Sequence, residues 1–77
     1  MPYYVTNSEL YGQLPIFPTL YDYPNPITAE RIERQVERLT DIADRRYLAG
    51  KATTEQYDRW TKALSGWADK YYAQVRV

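Results

Sequence analysis

The sequence predicts an all-α protein: an antiparallel two-helix hairpin, over about 28–49 and 54–75, with an extended Pro/Tyr-rich N-terminal arm packed on it or on a partner. Three observations predict it. Apolar residues after Ile27 recur at alternating spacings of three and four, which is a helical stripe. Cap signals bracket two such stretches, with about four residues between them. All five prolines stand before Ile27.

The arm, residues 1–27, carries Pro2, Pro15, Pro18, Pro24 and Pro26. Proline at these intervals blocks a long helix and favours extended or polyproline-like backbone. Tyr3-Tyr4-Val5-Thr6 is β-favouring and is a candidate short strand. Asn7 to Gly12 reads as a turn or a single helical turn. Six of the twelve aromatic residues lie in the arm: Tyr3, Tyr4, Tyr11, Phe17, Tyr21 and Tyr23. Its only charges are Glu9 and Asp22. Disordered segments are poor in rings and rich in net charge, so this arm is expected to lie against something.

The first helix opens at Thr28, whose hydroxyl suits an N-cap. Ile27 and Ile32 flank the cap as a hydrophobic staple, and Glu30 favours the helix dipole. The stripe runs Ile32, Val36, Leu39 and Ala43, with Ile42 and Tyr47 beside it. Gly50 is a natural terminator. The second helix opens with a capping box, Thr53 to Gln56, with Ala52 and Tyr57 in the staple positions. Its stripe is Tyr57, Trp60, Leu64, Trp67, Tyr71 and Val75. Gly66 costs roughly 1 kcal/mol relative to Ala and leaves room beside Trp67 for a ring or another chain. A link this short makes the helices antiparallel neighbours.

The 77 residues make one small domain, the arm at 1–27 and the hairpin at 28–77. So short a chain buries only about 60% of its unfolded surface. It has no Cys and no His, so disulfides and the commonest zinc ligands are absent. Two helices leave the rings of the second stripe half-covered, so a third layer is required. Leu14, Ile16, Phe17, Leu20 and Tyr21 of the arm, laid along the groove, are expected to supply it; a second copy or a host protein are the alternatives.

Several function classes fall away. No Gly-rich phosphate loop is present, and neither Ser8 nor Ser65 has a nucleophile context. Glu30, Glu33 and Glu37 share a helix face but alternate with arginines. Glu30–Arg34 and Asp41–Arg45 are expected as i,i+4 ion pairs worth a few tenths of a kcal/mol each. No catalysis, cofactor or metal is expected. No run reaches the roughly 20 apolar residues of a membrane span. Met1 to Leu10 lacks the basic start and apolar run of a secretory leader, which with the missing cysteines fits a cytoplasmic place, or a virion or host cytoplasm if the protein is viral.

The formal charge is zero, ten acidic against ten basic residues, whereas a nucleic-acid binder shows a basic excess. Arg45-Arg46 with Lys51 is the best local basic cluster. Pro15-Ile16-Phe17-Pro18 fits a polyproline ligand pattern without its usual basic neighbour. Tyr and Arg are enriched at interface hot spots. The candidate partner-binding residues are therefore Tyr3, Tyr4, Tyr11, Phe17, Tyr21, Tyr23, Arg34, Arg38, Arg45 and Arg46. The expected function is a non-enzymatic accessory protein that docks on a larger protein or assembly, or associates with itself. The alternative is a small helical nucleic-acid binder using Arg and Tyr side chains.

The segment Tyr47-Leu48-Ala49-Gly50-Lys51-Ala52-Thr53-Thr54-Glu55-Gln56-Tyr57 resembles the turn of helical hairpins in small oligomerisation modules and phage-type proteins. Cap chemistry alone generates such a run, so it identifies no family. The resemblance implies a virion component or an inhibitor of a larger host machine.

Overall fold

A computed structural model describes residues 11–75. Two helices pack as an antiparallel hairpin: α1, Ala29–Leu48, and α2, Thr54–Val75. The proposed strand at Tyr3–Thr6 lies outside the described residues.

The predicted caps form. Thr28 is extended, and its Oγ1 accepts from the Arg31 N–H at 3.1 Å. Ile27 and Ile32 pack in one cluster, completing the staple. At the other end the Gly50 N–H donates to the Tyr47 carbonyl and the Lys51 N–H to the Arg46 carbonyl, both at 3.0 Å. This is the Schellman pattern, and it requires the left-handed φ of +78° that Gly50 adopts. Thr53 and Gln56 cap α2 reciprocally: Thr53 N–H donates to Gln56 Oε1 at 2.8 Å and Gln56 N–H to Thr53 Oγ1 at 3.1 Å.

The stripes face each other. Ile32, Leu39 and Ala43 of α1 are buried, as are Trp60, Leu64, Ala68 and Tyr71 of α2. Ala68 was absent from the predicted stripe. It stands one turn beyond Leu64, where a small residue fits against Leu20 and Tyr71 in the same cluster.

Residues 11–20 form the third layer. Leu14 and Leu20 are buried, and Phe17 packs against the core between them. The inward set therefore steps by three. That is the repeat of polyproline backbone, three residues per turn, and Pro15 and Pro18 favour it. The same period corrects the expected groove lining: Ile16 is 68% exposed and Tyr21 is 66% exposed. Each falls one residue away from the inward positions Leu14–Phe17–Leu20.

Gly12 fastens the start of this layer. Its φ is +63°, and a Cβ there would stand 2.9 Å from the Lys51 carbonyl oxygen and 2.7 Å from Gln56 Oε1. The chain thus crosses the hairpin turn at a distance only glycine permits. At Gly66, by contrast, nothing lies within 4 Å, so no described ring uses that space.

Candidate protein-binding surface

The aromatic residues divide into a packed set and an exposed set. The packed set begins at the hairpin turn. Tyr47 and Tyr57 bring their rings to 4.9 Å, and Tyr47 Oη and Thr54 Oγ1 share a hydrogen bond of 2.8 Å. Tyr57 donates its hydroxyl proton to Asp44, tying α2 to α1. That hydrogen bond, and then burial, hold the phenol above its usual ionisation range.

From Tyr57 the rings continue along α2. Phe17 stacks on Trp60 at 5.5 Å and faces Trp67 at 6.3 Å, while Tyr11 meets the Phe17 ring edge-on at 6.2 Å. Trp67 in turn lies 5.1 Å from Tyr71. The polar tips of these rings have partners in the arm. Trp60 Nε1–H donates to the Pro15 carbonyl and Trp67 Nε1–H to the Pro18 carbonyl, each at 2.8 Å. Tyr71 Oη accepts from the Leu20 N–H at 3.0 Å. Buried indole and phenol groups need such partners, and an extended proline-containing segment has free carbonyls to offer. The P-x-x-P segment is held by its own hairpin, in the way aromatic grooves bind proline-rich peptides.

The exposed set lies just beyond. Tyr21 is 66% and Tyr23 86% exposed, in a loop that runs from Tyr21 to Pro26 and includes a cis Tyr23–Pro24 peptide. The loop backbone is held from both sides. Arg31 Nη1 donates to the Tyr21 carbonyl at 2.8 Å and the Asn25 carbonyl at 3.0 Å. Asp22 Oδ1 accepts from the Ile27 N–H at 2.9 Å. One α1 side chain and one loop carboxylate thus fix the backbone while the two tyrosine rings point away from the core.

The candidate aromatic residues fall into three groups. Tyr11 and Phe17 are packed on the core, and Tyr21 and Tyr23 are exposed beside it. Tyr3 and Tyr4 lie outside the described residues. Of the arginines, Arg34 pairs with Glu30 at 3.8 Å and Arg45 with Asp41 at 3.1 Å, the i,i+4 pairs expected. Arg38 is exposed. Arg46 Nη1 donates to the Gln13 carbonyl, fastening the arm to the end of α1. Sequence reasoning passed over Arg31, the residue that holds the Tyr21–Pro26 loop. Its signal was faint: a cation three residues after an N-cap, where it opposes the helix dipole unless carbonyls receive it.

Among the described residues no group of three His, Cys, Asp or Glu is placed to hold a metal ion. Nor is any helix among them long and apolar enough to cross a membrane. No family model, curated protein or solved structure matches the chain.

Proposed function

We propose that the protein is a small non-enzymatic binding module that docks on a larger protein or assembly through the Tyr21–Pro26 loop. The observation that carries this is the exposure of Tyr21 and Tyr23 on a backbone already held by Arg31 and Asp22. Large rings with polar tips contribute much contact area while ordering few rotatable bonds. A loop held before binding loses less entropy when a partner arrives. The chain's lack of His and Cys removes the commonest nucleophile and general-base pairings, which supports a binding role over a catalytic one. In the class its hairpin turn resembles, a virion component or an inhibitor of a larger machine is the form such a module takes.

The experiment is affinity capture from the source lysate with wild type and with Tyr21→Ser/Tyr23→Ser, both checked for equal melting temperature. A protein retained by wild type and lost from the double variant supports the reading. Equal retention by both, or retention by neither, refutes loop docking.

A further inference from the structure

The loop is one end of the molecule; the hairpin tip, about 30 Å away along α1, carries a second feature. An open groove there is floored by Leu14, Pro15, Ile16 and Ile42 and edged by Arg46 and Lys51. Its apolar floor includes Ile16, which is 68% exposed. Among the described residues no acidic side chain lines it. This sets it apart from the outer face of α1, where Arg34 and Arg45 each have a carboxylate one turn away. Arg46 reaches across the groove to the Gln13 carbonyl through one guanidinium nitrogen, which fixes the head and leaves its remaining N–H donors available. Lys51 stands exposed directly after Gly50 and enters no ion pair among the described residues. The α1 carbonyls that would draw these cations inward already have N–H partners in the turn: the Arg46 carbonyl takes the Lys51 N–H and the Tyr47 carbonyl the Gly50 N–H.

We infer that this groove receives an acidic, apolar segment of a partner protein, with carboxylates on Arg46 and Lys51 and an aliphatic or aromatic side chain on Ile16 and Ile42. The inference rests on the protein-binding reading and names the chemistry of a second contact. Charge complementarity selects the occupant: two cations above an apolar floor disfavour a basic segment and reward a carboxylate that brings apolar bulk with it. A free anion satisfies the cations alone and leaves the floor uncovered.

The test uses the full chain, isotopically labelled, titrated with a short peptide alternating Glu and Leu and with its Gln-for-Glu counterpart. Amide shifts are expected at Gly12, Leu14, Ile16, Ile42, Arg46 and Lys51, with the Gln peptide binding about tenfold more weakly. Lys51→Glu is expected to abolish the shifts, Ile16→Ser to weaken them, and Lys62→Glu on α2 to leave them unchanged. Equal binding of the two peptides, or shifts elsewhere on the surface, overturns the inference. So does tighter binding of inorganic phosphate or a single-stranded oligonucleotide at the same residues. Capture that survives Lys51→Glu but is lost with Tyr21→Ser/Tyr23→Ser would sink the groove and leave the loop standing.

Discussion

Residues 11–20 and residues 21–26 belong to one proline- and tyrosine-rich stretch, yet they serve opposite ends. In the first, backbone carbonyls accept from Trp60 and Trp67 while Leu14, Phe17 and Leu20 turn inward. In the second, the backbone is held by Arg31 and Asp22, and the rings turn outward. The difference lies in what holds the chain. Side chains that fill a groove commit themselves to the core; a backbone held by a guanidinium leaves its side chains free. Composition does not separate the two stretches, because tyrosine and proline suit both tasks.

The largest expected effect tests the packed stretch. Trp60 is fully buried, stacks on Phe17 and donates to Pro15. Trp60→Ala should cost about 3–5 kcal/mol. A domain this small has stability of about that order. Loss of the cooperative thermal transition is the expected result; a wild-type melting temperature would break the assignment of residues 11–20 as a third layer.

Gly12→Ala comes next. The left-handed φ and the collision with the Lys51 carbonyl together should cost about 1–3 kcal/mol in urea unfolding. An unchanged midpoint would mean the arm does not cross the turn so closely. Tyr71→Phe removes only the acceptor of the buried Leu20 N–H, at about 1–3 kcal/mol. Hydrogen exchange at Leu20 should accelerate by more than the global loss of stability explains.

Tyr57 sharpens the picture through pH. The folded chain holds the phenol proton more tightly than the unfolded chain does, chiefly through Asp44. The stability this adds is therefore complete below about pH 10 and is lost as pH rises through the raised folded value. The gap in stability between wild type and Tyr57→Phe should be flat at neutral pH and shrink in alkali. A gap that widens above pH 10 would contradict it. Smallest of all, Tyr23→Ala should change stability by no more than about 0.5 kcal/mol, since its ring is 86% exposed. A larger loss would move Tyr23 from the exposed set to the packed one.

Most of the hairpin was legible in the residues. Thr28, Ile27 with Ile32, and Thr53 with Gln56 are local signals, set by groups three to five positions apart, and all of them form. The candidate site was legible only in part. Phe17 and Tyr21 read alike in the sequence, four residues apart among prolines, yet only Phe17 meets the tryptophans. The three-residue step of Leu14, Phe17 and Leu20 was present in the sequence as a polyproline pattern, but its phase depends on where Trp60 and Trp67 place their N–H groups. Arg31 was only faintly readable for a related reason: its acceptors are carbonyls six and ten residues away, brought near by the turn between them.

By itself the sequence determined the two helices, their ends and their facing stripes, because helix periodicity and capping depend on neighbours within about one turn. Only the tertiary structure decided which rings of the arm are core and which are surface. That choice depends on contacts between residues 45 to 51 positions apart, such as Trp60 with Pro15 and Tyr71 with Leu20, and no local propensity encodes them.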